Sequence, residues 1–301
     1  MTEPSLRSTF WNALQGTPYH IEWVDAGGIR TRTLQAGAQN DSPLLLVHGT
    51  GGHIENYIYN IGAHGERFRT IAFDLVGHGW SDHPLIDYEI ATYVDHILRL
   101  LDALGIEKAH MSGQSLGGWV LARLAARYPD RVDRLVLNTA GGFSANRQGM
   151  DKARELGRAA ATGVPTSRDA VRKRLEFLVH EPASIAEEMV DVRHAIYSMP
   201  GYGEIMSRIT CLQDPEIRAR NLLTSEELEQ IQARTLVVWT DYDPIAAEET
   251  GRALADLIPN SRFELIHGCA HWPQVERPER FNTLQIEFLT APDASEGPIR
   301  D

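Results

Sequence analysis

The stretch HMSGQSLGGWV, residues 110–120, decides the fold. Ser115 stands between Gly113 and Gly117, so residues 113–117 match G-x-S-x-G. Before it, KAHMSG reads as a short strand; after it, LGGWVLARLAARYPD reads as a helix stopped by Pro129. A strand that turns straight into a helix leaves room only for small residues two before and two after the serine. Such a turn strains the serine backbone and lifts its hydroxyl above the sheet, near the first N–H groups of the helix. The alternative is a serine that only caps a helix. Two glycines in the required places, within a strand-to-helix setting, favour the exposed nucleophile.

Outward from this turn the chain alternates. GGIRTRTLQAG (27–37) reads as a strand after a Gly-Gly turn, and PLLLVHG (43–49) as a strand buried on both faces. RTIAFDLVGHG (69–79) is a third, running into a glycine turn. Ile90, Val94, Ile97, Leu98, Leu101 and Leu104 fall on one helical face, which Gly105 ends. VDRLVLNTA is a strand after the helix that Pro129 stops. The alternation resumes with TLVVWTDYDP, AEETGRALADLIP, SRFELIHGCAH and PERFNTLQIEFLTA, read as strand, helix, strand and helix. Between them, residues 144–232 are charged and helical, with no convincing strand. The expectation is an α/β fold with a mostly parallel sheet covered on both faces, a core of residues 1–143 and 233–301, and an inserted helical lid at 144–232. Residues 291–301 read as a polar tail.

Composition narrows the partners. The chain has 301 residues, 29 Lys and Arg against 41 Asp and Glu, and a formal net charge of −12, which argues against nucleic acid or an anionic membrane surface. An anionic small substrate would need a local cation. No stretch reaches the roughly 20 apolar residues of a membrane span. The N-terminal MTEPSLRSTFWNALQG lacks the apolar run of a signal peptide. Cys211 and Cys269 form neither a disulfide framework nor a metal-ligand pattern. A cytoplasmic protein with two reduced thiols, no metal and no cofactor is expected.

A serine hydroxyl needs a base and an acid that orients the base. His271 lies in the loop after the last strand and Asp243 in the loop after the preceding one, so the chain order is Ser, Asp, His. Loops at the carboxyl ends of parallel strands share one crevice. His267 competes for the base and Asp241 for the acid; His271 reaches further into its loop, and Asp243 is the fourth position after Trp239. LVHGTGGH (46–53) is a glycine-rich loop that can supply the Thr50 N–H to an oxyanion, with the Leu116 N–H as the second donor. His48 is expected to hold that loop. DLVGHGWSD (74–82) lacks a G-x-x-x-x-G-K pattern and reads as a structural turn, not a phosphate cradle.

Together these residues resemble the α/β-hydrolase superfamily over essentially the whole chain. Closer details resemble the meta-cleavage product hydrolases, which break a carbon–carbon bond in ring-fission products of aromatic catabolism. HWPQVERPERFN (271–282) is similar to that branch, where a tryptophan, here Trp272, follows the histidine. FLVHEPASIAEEMVDVRHAIY (177–197) looks like its lid segment, whose arginine binds the dienoate end of the substrate; this maps to Arg193. ENYIYN (55–60) resembles the segment that carries a pocket asparagine, here Asn56. Gln114 stands where the branch often has Asn, and Thr50 where it often has Gly. The resemblance implies a cofactor-free serine hydrolase for a small anionic, aromatic-derived substrate, and leaves room for a homo-oligomer. The rival readings are a carboxylesterase or lactonase with the same triad, and a non-catalytic ligand receptor on the same fold. Haloalkane dehalogenase and epoxide hydrolase chemistry would need a carboxylate where Ser115 stands.

Overall fold

The computed structural model describes residues 9–143, 147–162 and 167–292. Strands β1 (Tyr19–Asp25), β2 (Arg30–Ala36), β3 (Pro43–Val47), β4 (Arg69–Phe73), β5 (Ala109–Gln114), β6 (Val132–Asn138), β7 (Arg234–Thr240) and β8 (Ser261–Ile266) form one sheet in the order β1-β2-β4-β3-β5-β6-β7-β8. β2 runs antiparallel to β1 and β4, and the remaining pairs are parallel. This is the α/β-hydrolase fold expected above.

The apolar runs explain why both faces are covered. In β3, Leu45 and Val47 point into one core cluster and Leu44 and Leu46 into the other, as the two-residue period of a strand requires. Helices α1 (Ile61–Gly65), α2 (Ile90–Ala103) and α3 (Leu116–Arg127) precede β6. α2 sends Ile90, Tyr93, Val94, Ile97, Leu100 and Leu101 into the first cluster, an i, i+3, i+4, i+7 stripe. Each such side chain contributes about 1.5–3 kcal/mol when fully buried.

Between β6 and β7 the described residues hold α4 (Arg147–Thr162), α5 (Arg168–Glu176), α6 (Glu187–Tyr197), α7 (Tyr202–Ile209), α8 (Pro215–Asn221) and α9 (Ser225–Glu229), and no strand. Leu175, Val190, Ile196, Ile205 and Met206 from this insert join the first core cluster, so it packs as part of the body. Its return is pinned to α3, where Trp119 Nε1 and Arg123 Nη2 donate to the Asn221 carbonyl at 3.0 and 2.8 Å. Helices α10 (Glu248–Leu257), α11 (Pro273–Glu276) and α12 (Pro278–Thr290) complete the chain, with Phe281, Leu284 and Phe288 of α12 in the second cluster. Residues 144–146, where the insert was expected to begin, and 293–301, most of the expected tail, lie outside the described residues. Among the described residues no helix is long and apolar enough to cross a membrane.

Candidate active site

β5 ends at Gln114 and α3 begins at Leu116, so Ser115 alone makes the turn, at φ 53° and ψ −111°. That conformation is costly for a residue with a Cβ and persists only where the surroundings enforce it. The glycines enforce it by close approach. A Cβ on Gly113 would lie 2.4 Å from the Gly117 carbonyl carbon, and one on Gly117 would lie 2.2 Å from the Val47 oxygen. The start of α3 therefore sits directly against the end of β3.

The loop after β3 runs alongside. A Cβ on Gly49 would lie 3.0 Å from the Ser115 Cβ and 2.3 Å from Gln114 Oε1. Thr50, next in the chain, borders the same cavity as Ser115 and Leu116. His48 ties the loop down: its Nδ1–H donates to the Gly49 carbonyl at 2.8 Å, and its Nε2 accepts the Leu75 N–H at 3.0 Å. Burial, then the neighbouring His78, holds its pKa well below the ordinary histidine value, so the ring is neutral.

The two acid–base alternatives resolve into two separate pairs. His271 Nδ1 donates to Asp243 Oδ2 at 2.8 Å, with side chains 5% and 0% exposed. His267 and Asp241 form an outer pair at 3.3 Å, with side chains 76% and 27% exposed. Asp241 also accepts the Gly268 N–H at 2.9 Å, which shapes the turn after β8. The other oxygen of Asp243 accepts the Ile245 and Ala246 N–H groups at 2.8 and 3.4 Å, so its carboxylate is oriented from both sides.

The His271 backbone is fixed by three neighbours. Its carbonyl accepts from Gln114 Nε2 and Thr139 Oγ1, each at 3.1 Å, and its N–H donates to the Leu178 carbonyl of the insert at 3.0 Å. Gln114 thus holds the histidine loop as well as lining the cavity. Thr139 has a positive φ of 42°. Glu276 of α11 adds a clamp, accepting from the Ala270 N–H at 2.8 Å with one oxygen and from the His180 N–H at 2.6 Å with the other. Burial pushes its pKa up, against these hydrogen bonds.

Ser115 and His271 border one cavity of about 930 Å³, its open mouth included, with Asn56 and Trp272 in its wall. Arg193 on α6 is completely buried and stands behind that wall. Its Nη2 donates to Asn56 Oδ1 at 3.1 Å, and its guanidinium carbon lies 5.1 Å from the Trp272 ring centroid. Its Nε reaches His53 Nε2 in a long contact of 3.5 Å, while His53 Nδ1 donates to Glu55 at 2.7 Å. Burial pushes Glu55 up, but His53 and Arg32 outweigh it and bring its pKa down to about 2. Burial lowers the Arg193 pKa. Among the described residues, two buried donors in this corner have no partner: Nη1 of Arg193 and Nδ2 of Asn56.

Sequence reasoning missed two further cavity residues, Arg174 and Arg218, and the positioning residues Thr139 and Glu276. Glu276 lay inside the quoted HWPQVERPERFN segment and carried no mark of its role; the arginines sat among many charges of the insert.

A family model for the alpha/beta hydrolase fold matches residues 42–278. The 2-hydroxymuconate semialdehyde hydrolase of Pseudomonas sp. strain CF600 is 31% identical, covering 94% of this chain and 99% of its own. The 2-hydroxy-6-oxo-2,4-heptadienoate hydrolase of a Pseudomonas putida strain is also 31% identical, over 90% of this chain and 96% of its own. The solved structure of a meta-cleavage product hydrolase from Pseudomonas fluorescens IP01 superposes with a TM-score of 0.78 at 29% identity, covering 89% of this chain and 97% of that one.

Proposed function

Because this chain belongs to the alpha/beta hydrolase fold family, we propose that it is a serine hydrolase that cleaves the C5–C6 bond of a 2-hydroxy-6-oxo-hexa-2,4-dienoate-type ring-fission product. The observation that carries the substrate class is the pair of buried, unpartnered donors, Arg193 Nη1 and Asn56 Nδ2, in the corner beside Trp272. A buried guanidinium with an unpartnered N–H is expensive, and a substrate carboxylate would accept from it.

The steps follow from the positions. The carboxylate and 2-oxygen end of the substrate sits toward Asn56 and Arg193, whose charge favours the electron-rich end during conversion of the dienol to its keto tautomer, with His271 moving the proton. His271 then takes the Ser115 proton as Oγ adds to the C6 ketone. The Thr50 and Leu116 N–H groups hold the oxyanion, each such donor contributing about 2.7–4 kcal/mol in the transition state. Collapse breaks the C5–C6 bond, the electron pair is delocalised onto the 2-oxygen as a dienolate, and His271 gives its proton to that oxygen. Water, deprotonated by His271, cleaves the acyl-enzyme. The balance is substrate plus water giving a 2-hydroxydienoate and a carboxylic acid. Asp243 keeps the imidazole in the working tautomer and stabilises its charged form. No cofactor enters this sequence.

An esterase with the same triad would differ at Arg193. Replacing Arg193 with Ala removes a charge-assisted contact worth about 1.5–3 kcal/mol, roughly ten- to over a hundred-fold in kcat/KM. That loss is expected for the dienoate and not for a neutral p-nitrophenyl ester. Equal losses on both would make Arg193 a purely structural cation and remove the support for a dienoate.

A further inference from the structure

The cavity beside Ser115 holds two guanidinium groups that the proposed reaction does not use. Arg174 of α5 is 5% exposed and borders the cavity. Its Nη1 donates to the Ala153 carbonyl at 3.0 Å and its Nη2 to the Thr50 carbonyl at 3.3 Å; its buried Nε has no partner among the described residues. Arg218 of α8 borders the same cavity and lies 5.0 Å from the Trp119 ring centroid. Burial alone lowers its pKa; no carboxylate pulls it back.

The nearest arginines along the chain differ in their partners. Arg172, two residues from Arg174, pairs with Glu187, and Arg220, two residues from Arg218, pairs with Glu89. Acids outnumber bases in this chain by 41 to 29. Even so, among the described residues neither cavity arginine has a carboxylate in ion-pair contact. Arg174 is held by the Ala153 and Thr50 carbonyls and Arg218 lies against Trp119, whereas Arg193 is held at Asn56 and Trp272. Apolar Ile209, Leu212 and Ile245 line the cavity with them. An apolar stem that ends in an anion matches such a lining.

We propose that Arg174 and Arg218 form a second anion subsite, which takes a carboxylate carried on the ketone-side substituent of the substrate. The natural substrate is then a dicarboxylate, and the acid released from the acyl-enzyme is itself a dicarboxylic acid. The identity of that substrate rests on the carbon–carbon cleavage proposed above; the subsite does not, because an ester places its acyl group in the same place.

The test uses both chemistries. The affinity of the Ser115→Ala protein is measured by calorimetry for p-nitrophenyl hemiglutarate and for a neutral p-nitrophenyl ester of matched acyl length. The active enzyme is then assayed on both esters, and on two dienoates that differ only by a terminal carboxylate on the ketone side. The expected result is a preference for the carboxylated member of at least about tenfold. It falls to near unity in Arg218→Met and in Arg174→Met, with Tm recorded to confirm folding. A preference in the esters with no dienoate cleavage keeps the subsite and removes the carbon–carbon reading. Equal or weaker binding of the hemiglutarate by Ser115→Ala overturns the subsite, whatever the turnover.

Discussion

His271 Nδ1 lies 2.8 Å from Asp243 Oδ2 inside the protein, while the parallel pair His267 and Asp241 lies 3.3 Å apart at the surface. Only the inner pair borders the cavity with Ser115, through His271. An acid can orient a catalytic imidazole only if it accepts from the nitrogen that faces away from the nucleophile, the role the proposed triad gives Asp243.

Asp243→Asn is therefore expected to lower kcat by about 10⁴-fold, as loss of the tautomer-setting acid does in a serine triad. Asp241→Asn should change kcat by less than about tenfold, since its carboxylate shapes an exposed turn. Steady-state assays of the two variants on one substrate decide this; the reverse order would put the acid two residues upstream.

Ser115→Ala and Ser115→Gly should both abolish turnover, but they should differ in stability. The φ of 53° strains any residue with a Cβ, so glycine should relieve a cost of about 1–3 kcal/mol, partly offset by its own chain entropy. Calorimetric melting should rank Gly above Ala by a few degrees. A lower melting point for Gly would mean that the elbow is not strained.

The parts legible in the sequence are those where one residue type is forced. The glycines at 113 and 117 have no room for a Cβ, and β3 (Pro43–Val47) is apolar throughout because both faces are covered. β1 escaped notice because Tyr19, Ile21 and Trp23 are exposed on an edge strand, so no burial pattern marks it. The placing of Arg193 behind Asn56 and Trp272, and of Arg174 and Arg218 in the cavity, depends on how the insert's helices pack over the sheet. Charge spacing along those helices carries no trace of that packing: Arg172 and Arg174 read alike in sequence, yet one meets Glu187 and the other the cavity.

Acid should destabilise the fold through its buried neutral histidines. His96 is engaged on both nitrogens, Nε2 with Thr31 Oγ1 at 2.8 Å and Nδ1 accepting from the Val76 N–H at 3.2 Å. Burial brings its pKa down to about 3, and that of His64 to about 4. Unfolded, both titrate near 6.5, so between there and the folded values the unfolded chain binds more protons and stability falls with falling pH. Each histidine can contribute a slope of up to about 1.4 kcal/mol per pH unit. Urea unfolding at pH 7, 6 and 5 should show a declining midpoint, and His96→Gln should reduce that decline. A midpoint that holds flat from pH 7 to 5 would contradict the neutral, buried assignment.

The most direct measurement compares kcat/KM of the unaltered enzyme for a 2-hydroxy-6-oxo-dienoate and for a p-nitrophenyl ester. The dienoate is followed by loss of its dienolate absorbance and the ester by nitrophenolate release. Cleavage of the dienoate into a 2-hydroxydienoate and an acid, with the higher kcat/KM, is the result this account predicts. Fast ester hydrolysis with the dienoate left intact would contradict it.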